Sequence, residues 1–158
     1  MWYRYFLYFA EKLIKKDYEN KIKMIYIDPP YNTEKKFMYN DTFRNKKKKE
    51  CRHSGWLNMM YPRLKLARDL LTDDGVICIQ IDDNEQENLH KLCNEIFGEI
   101  NHLTTLCIKM SHLSGMKMAH KDKKVPKIKE FILLYAKNVS NIIIKPVHIK
   151  GKWENVFD

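Results

Sequence analysis

Closely spaced glycines are missing from this sequence, which has five glycines in 158 residues. They stand at positions 55, 75, 98, 115 and 151, and no two are close enough to form a Gly-rich turn. Such turns bring backbone N–H groups and the start of a helix up to an anionic or nucleotide ligand. The sequence as given therefore contains no turn of that kind.

Paired cysteines are missing too. The four cysteines, at positions 51, 78, 93 and 107, form no Cys-x-x-Cys pair and no zinc-like spacing with histidine. Cys78 lies in an apolar run and Cys93 on an apolar helix face, so both are expected in the core. We therefore expect no metal site, and a reduced protein in the cytoplasm.

A long hydrophobic run is the third missing feature. The apolar stretch at the N-terminus is too short to cross a bilayer. It also lacks the preceding basic segment and the small-residue cleavage site of a signal peptide. We expect no membrane partner.

Positive charge is abundant and unevenly placed. The net charge is +9, and residues 101–158 contribute 11 lysines against 4 acidic residues, a net of +7. This asymmetry favours a polyanionic partner such as DNA, although a lysine-rich genomic background would also raise the total. Five lysines of the polar stretch 111–130 are the candidate DNA contacts: Lys117, Lys121, Lys123, Lys124 and Lys127.

Short apolar runs rich in β-branched residues are typical of buried strands. Four such strands are predicted, at residues 22–27, 76–81, 103–109 and 131–136, with 141–149 as a candidate fifth. Between the first two strands, apolar residues recur at helical spacing: Trp56, Met60, Leu64, Ala67 and Leu71. Strand, helix, strand and helix in this order predict a single α/β domain with parallel strands and right-handed crossovers.

The boundaries follow from local signals. A second helix is expected from Asp83 as its cap to Gly98 as its stop, and 2–14 is a candidate amphipathic helix. Pro62 is expected to open the main part of the first helix, after a polar loop over 32–55. Asp73 to Gly75 are expected to form a turn.

The strand at 22–27 stops at Asp28-Pro29-Pro30-Tyr31. In open α/β sheets, ligands bind beyond the carboxyl ends of the strands, where Asp28, Asp82 and Asp83 are expected. A simple turn capped by Asp28 would give a similar pattern. Asp82 is expected to support the site by hydrogen bonds. His53, His112 and His120 have no acidic or cysteine partner at ligand spacing and are expected at the surface.

The four-residue motif suits methyl transfer to an exocyclic amino group. The nitrogen lone pair of such a group is delocalised into the base, and two acceptors on its hydrogens can localise it again. The Asp28 carboxylate and the Pro29 carbonyl are candidate acceptors, which Pro29 and Pro30 hold in place. Tyr31 offers a flat ring on which an extruded base can stack. In-line attack on a sulfonium methyl group depends mainly on placement, so no metal is expected.

The segment 25–33, IYIDPPYNT, resembles the catalytic motif of DNA adenine-N6 methyltransferases, especially the modification subunits of type III restriction-modification systems. The resemblance covers about residues 20 to 140. It continues through Phe37, Tyr39–Asp41, Trp56-Leu57, Arg63-Leu64, Ala67, Asp74–Ile77, IDDNE at 81–85, Ile96–Gly98 and the stretch 114–135.

The resemblance implies a Rossmann-like methyltransferase fold, S-adenosyl-L-methionine as donor, and an adenine flipped out of duplex DNA. By position, Asp28, Pro29, Pro30 and Tyr31 would carry catalysis, with Asp28 and Pro29 beside the cofactor. Amino-directed cytosine enzymes commonly have a serine in place of this aspartate, so Asp28 favours adenine.

The family also uses a Gly-rich cofactor turn and a target-recognition region, and the sequence shows neither. Residues 1–158 are thus expected to form one catalytic subdomain, the catalytic half of the sheet, in a truncated or split enzyme. A second chain supplying the missing regions and a restriction subunit are the implied partners. An inactive fragment that only binds nucleic acid is the alternative, and a small RNA-binding protein is a weaker one that no RNA-binding motif supports.

Overall fold

The computed structural model describes residues 14–33, 51–110 and 128–145. Residues 14–18 are helical and lead into the sheet. The main elements are β1 (Ile22–Ile27), α1 (Cys51–Leu70), β2 (Leu71–Ile81), α2 (Gln86–Phe97), β3 (His102–Lys109) and β4 (Lys129–Ala136). All four predicted strands are therefore present. The candidate helix at 2–14 lies, except for its last residue, outside the described residues.

The strands form one sheet in the order β1-β2-β4-β3. β1 and β2 are parallel, whereas β4 is antiparallel to both β2 and β3. The expectation of parallel strands thus holds for β1, β2 and β3, which run in the same direction, and β4 makes the sheet mixed. Helices α1 and α2 connect these three strands, whereas no described helix joins β3 to β4. Because β1 and β2 are parallel, their carboxyl ends meet at one edge.

The core lies between the two helices and one face of the sheet. The five residues of the predicted helical stripe are all buried, four of them in α1 and Leu71 as the first residue of β2. Cys78 and Cys93 are buried as expected. Burial removes apolar surface from water at about 25 cal/mol per Å², which fixes the helices on the sheet. The remaining buried apolar residues of the two helices and the sheet are Leu89, Leu92, Phe97, Ile77, Ile79, Ile81, Leu133, Tyr135 and Ala136.

Helix α1 is longer than the sequence indicated. It begins at Cys51, inside the stretch expected to be a loop, and continues through Pro62 without a break. Proline removes one helical hydrogen bond and crowds the preceding turn. Pro62 lies on the exposed face, where water can satisfy the freed carbonyl. The expectation that Pro62 starts the main helix was therefore wrong.

Asp73 to Gly75 do not form the expected separate turn. They lie within β2, where the pairing with β1 is irregular. The step from Ile22 to Met24 on β1 is matched by the longer step from Leu71 to Val76 on β2. A Cβ on Gly75 would come within 2.9 Å of the Thr72 carbonyl oxygen. The backbone is thus packed too closely there for a side chain.

Helix α2 does not begin as expected. Its N-cap is Glu85, without a side-chain capping bond, and Asp83 instead pairs with Lys129 at 3.0 Å. Gly98 ends the helix as predicted, with a φ of 92°. The fifth strand is not present over residues 142–145, which follow a short 3₁₀ helix at Val139–Asn141, and 146–149 lie outside the described residues. None of the helices in the described ranges is long and apolar enough to cross a membrane.

Candidate active site

Asp28 is the first residue after β1, and its side chain is exposed. Pro29 is buried and Pro30 is exposed. Asp82 and Asp83 follow the parallel strand β2 at the same edge. The structure therefore places Asp28 where ligands bind in open α/β sheets.

The indole of Trp56 anchors this segment to helix α1. Its Nε1 donates a hydrogen bond of 2.6 Å to the Pro30 carbonyl oxygen, and the Trp56 side chain is 5% exposed. Sequence reasoning assigned Trp56 to the core and missed the bond, because the apolar spacing that marks a core position does not show where the indole N–H points.

The Tyr31 hydroxyl donates to Glu130 Oε2 at 3.0 Å. Burial is the largest effect that raises the pKa of Tyr31 above its ordinary value, and hydrogen bonds to the Asp28 and Glu130 carboxylates raise it further. The hydroxyl therefore remains protonated at neutral pH and acts as a donor. Gln80 Nε2 donates to the same Glu130 oxygen at 2.6 Å, so Tyr31 is tied to both β2 and β4.

A second polar network surrounds Glu85, whose side chain is 0% exposed. Its carboxylate accepts hydrogen bonds from Asn32 and from Asn88 Nδ2, the latter at 2.7 Å. It also lies 2.7 Å from Nδ1 of His53. The His53 side chain is 44% exposed, as expected of a surface residue. The expectation that it has no acidic partner was wrong, because Glu85 lies on another element and sequence spacing does not show the contact.

Asp82 accepts hydrogen bonds from the Asn84 backbone N–H at 2.8 Å and from the Asn84 amide at 2.7 Å. It is 6% exposed. A buried carboxylate with such partners supports local structure, which agrees with the supporting role expected for Asp82.

The five candidate DNA-contacting lysines, Lys117, Lys121, Lys123, Lys124 and Lys127, lie outside the described residues. Lys129, the first residue of β4, is described and contacts Asp83 as well as the Phe131 ring. Within the described ranges, no three His, Cys, Asp or Glu side chains are grouped to hold a metal ion.

Sequence reasoning missed Glu85, Gln80 and Glu130 as parts of the site. One signal could have found Glu85: it ends the polar run Asp82-Asp83-Asn84-Glu85, directly after a buried strand and therefore at the ligand-binding edge. Gln80 is a polar residue within an apolar strand, which is also unusual.

The profile of the DNA methylase family N6_N4_Mtase matches residues 22–155 of this chain. The chain is 39% identical over 138 residues to the probable type III restriction-modification enzyme HindVI Mod subunit of Haemophilus influenzae, covering 87% of this chain and 17% of that protein. It is 40% identical over 144 residues to the EcoPI Mod subunit of Escherichia phage P1, covering 77% of this chain and 22% of the other. The chain thus spans about a fifth of the length of these relatives.

A type II methyltransferase, M.KpnI of Klebsiella pneumoniae, is 34% identical over 122 residues, covering 74% of this chain and 27% of that protein. Among solved structures, the PvuII DNA methyltransferase (cytosine-N4-specific) superposes with a TM-score of 0.56 at 12% identity. The superposition covers 90% of this chain and 57% of that one. The similarity shows that the described sheet and helices follow the Rossmann-like methyltransferase fold.

Proposed function

Since the chain belongs to the DNA methylase family N6_N4_Mtase, we propose that it is the catalytic part of a site-specific DNA methyltransferase of a restriction-modification system. The proposed reaction transfers a methyl group from S-adenosyl-L-methionine to N6 of adenine. The observation that carries this proposal is the position of Asp28: an exposed carboxylate at the carboxyl end of β1, beside the parallel strand β2.

Asp28 and the Pro29 carbonyl are the proposed acceptors for the two hydrogens of the adenine amino group. The neighbouring Pro30 carbonyl already accepts a hydrogen bond from Trp56, which fixes the backbone next to Pro29. Acceptors that are fixed before the substrate arrives stabilise developing charge without reorganisation. The two acceptors localise the lone pair on the amino nitrogen, which can then attack the methyl group. Asp28 can take up the proton that the nitrogen releases.

The Tyr31 ring is the proposed stacking surface for the flipped base. Its hydroxyl is held by Glu130, so the ring has a defined orientation at the edge of the sheet. Base–aromatic stacking contributes roughly 1–3 kcal/mol per base.

The residues present fit the reacting end of S-adenosyl-L-methionine, which supplies an electrophilic methyl group when bound. Asp28 and Pro29 are the proposed contacts. The three described glycines lie elsewhere: Gly55 is within α1, Gly75 packs against backbone and Gly98 ends α2. We propose that a Gly-rich turn outside the 158 residues completes the cofactor site, and that these residues form one catalytic subdomain.

DNA is the proposed substrate and partner. The net charge of +7 over residues 101–158 supports it, with Lys117, Lys121, Lys123, Lys124 and Lys127 as the proposed phosphate contacts. A chain that supplies the cofactor-binding and target-recognition regions, and a restriction subunit, are further proposed partners. Because the proposed substrate is DNA in a restriction-modification system, we propose a cytoplasmic location.

The alternative is a catalytically inactive fragment that binds nucleic acid through its lysines. The missing Gly-rich turn favours it for the isolated chain.

A graft distinguishes the two functions. We define the grafted Mod protein as the EcoPI Mod subunit in which the region matching this chain, 40% identical over 144 residues, is replaced by this chain. We expect it to incorporate tritiated methyl groups into DNA, and nuclease digestion to release N6-methyladenine. N4-methylcytosine as the product would contradict the adenine assignment. A folded graft that binds DNA and S-adenosyl-L-methionine without methyl transfer would favour the inactive fragment.

A further inference from the structure

A carboxylate without exposure needs partners for its charge. The Glu85 side chain is 0% exposed, and burying an ionised carboxylate is costly unless donors satisfy it. Three side chains do so: Asn32, His53 and Asn88. They come from the segment after β1, from α1 and from α2, so Glu85 joins all three.

The contact with Asn32 links Glu85 to the residue next to Tyr31. Asn32 directly follows Tyr31, and its φ of 54° lies in the left-handed region. A non-glycine residue adopts that conformation at a cost of about 1 kcal/mol, least for Asn and Asp, and it persists where other contacts hold it. The Asn32 amide contacts Glu85 and also the Arg52 carbonyl at 3.3 Å.

Tyr31 is therefore held from both sides along the chain. The Trp56 indole fixes the Pro30 carbonyl before it, and the Glu85 carboxylate fixes Asn32 after it. Pro30 and Asn32 set the backbone direction at Tyr31, and hence where its ring and hydroxyl point. The hydroxyl reaches Glu130 at 3.0 Å in this arrangement.

We propose that Glu85 is a positioning residue, which orients Tyr31 for the base by holding Asn32 in its left-handed conformation. This inference rests on the proposed function only for the role of the Tyr31 ring. The contact itself is tested by a spectroscopic measurement that requires no methyl transfer, so the two can fail separately.

The experiment uses the full chain with tyrosine labelled with carbon-13 at Cζ, whose chemical shift reports hydrogen bonding of the hydroxyl. The Tyr31 resonance is assigned by its loss in Tyr31→Phe. In Asn32→Asp, a carboxylate replaces the amide that donates to Glu85, so two acceptors face each other. We expect the Tyr31 shift to move toward that of Tyr18, which is 52% exposed.

One tyrosine control and one glutamate control separate positioning from general destabilisation. Tyr135 is 0% exposed and donates to Asn94 at 2.6 Å, so its resonance should stay in place. Glu87→Gln, at an exposed residue of the same helix that pairs with Lys91, should leave Tyr31 unchanged.

Exchanging donor and acceptor gives the decisive variant. Aspartate tolerates the left-handed backbone, and Glu85→Gln supplies an amide N–H for the carboxylate that Asn32→Asp introduces. We expect Asn32→Asp combined with Glu85→Gln to restore at least half of the Tyr31 shift lost in Asn32→Asp.

An unchanged Tyr31 resonance in Asn32→Asp, or no recovery in the double variant, would overturn the proposal. If Asn32→Asp does not fold, Asn32→Ala removes the same contact from a partly exposed position. It should move the Tyr31 resonance in the same direction, and a resonance that stays in place there also overturns the proposal.

Discussion

At the scale of single residues, the site combines one exposed carboxylate with neighbours that are held firmly. Asp28 is exposed, whereas Pro29 is buried and the Pro30 carbonyl is hydrogen-bonded to Trp56. An exposed acceptor on a fixed backbone can meet a substrate amino group without prior rearrangement of the protein. Catalysis by such a group depends on charge and position.

Asp28→Ala is expected to reduce kcat of the grafted Mod protein by about 10²–10³-fold, because one preorganised acceptor is lost. Tritiated methyl incorporation into duplex DNA measures the loss. Asp73→Ala is the matched control, since Asp73 is 75% exposed at the other end of β2, and it should keep full activity. Methyl transfer by Asp28→Ala at the rate of the unchanged graft would contradict the catalytic assignment.

Tyr31→Ala is expected to be more damaging than Tyr31→Phe. Alanine removes the stacking ring, worth roughly 1–3 kcal/mol, whereas phenylalanine removes only the hydroxyl, whose hydrogen bonding to Glu130 and Asp28 is worth about 1 kcal/mol. Affinity for duplex DNA with 2-aminopurine at the target position, measured with the grafted Mod protein, gives both values. Glu130→Gln should resemble Tyr31→Phe, and equal losses in the two Tyr31 variants would exclude stacking.

The catalytic motif and the two polar networks differ in how far the sequence could reveal them. Asp28 to Tyr31 form a continuous motif after an apolar run, so the chemistry could be predicted from adjacent residues. His53 and Glu85 are 32 residues apart, and Tyr31 and Glu130 are 99 apart. Such pairs depend on how the helices and strands are brought together, which local patterns do not specify.

At the scale of elements, apolar periodicity predicted the strands and the buried face of α1. These periodic patterns are strong signals because the positions that face the core require apolar residues. The start of α2 was predicted wrongly. Asp83, the expected cap, forms an ion pair with Lys129, and the N-cap residue is Glu85. The antiparallel direction of β4 does not follow from its composition, because an apolar strand has the same composition in either direction.

Trp56→Phe tests how α1 supports the site. The ring remains apolar, but the 2.6 Å bond to the Pro30 carbonyl is lost. We expect the free energy of unfolding of the chain to fall by about 1–2 kcal/mol, measured by urea denaturation. In the grafted Mod protein kcat should fall by about tenfold or more, because small misplacements at the site are costly.

The control for this variant is Met60→Leu, which changes the next buried residue of the same stripe at nearly constant volume. It should alter stability by less than about 1.5 kcal/mol and leave kcat in place. A Trp56→Phe enzyme with unchanged kcat would show that the Pro30 anchor does not position the site.

At the scale of the whole molecule, charge and coverage are the two informative quantities. Residues 101–158 hold 11 lysines against 4 acidic residues, a local excess that attracts polyanions over about a Debye length. The chain covers 22% of the EcoPI Mod subunit. The charge excess supports DNA binding by the isolated chain, and the absent Gly-rich turn argues against firm cofactor binding by the same residues.

The isolated chain is therefore expected to bind duplex DNA weakly and with steep salt dependence, to bind S-adenosyl-L-methionine poorly, and to show no measurable turnover. Each phosphate neutralised contributes about 0.9 to the slope of log affinity against log salt. Replacing Lys117, Lys121, Lys123, Lys124 and Lys127 with glutamine should lower this slope markedly between about 50 and 200 mM salt. Fluorescence anisotropy with labelled duplex DNA measures it.

The control replaces Lys15, Lys16, Lys21, Lys23 and Lys91 with glutamine, which removes the same net charge from other parts of the chain. If both variants lower the slope equally, total charge drives binding and the proposed lysine surface is wrong. Calorimetry with S-adenosyl-L-methionine tests the second half, because the chain lacks the Gly-rich turn that brings backbone N–H groups to a ligand. Micromolar cofactor binding with methyl transfer by the chain alone would show that these 158 residues form a complete cofactor site.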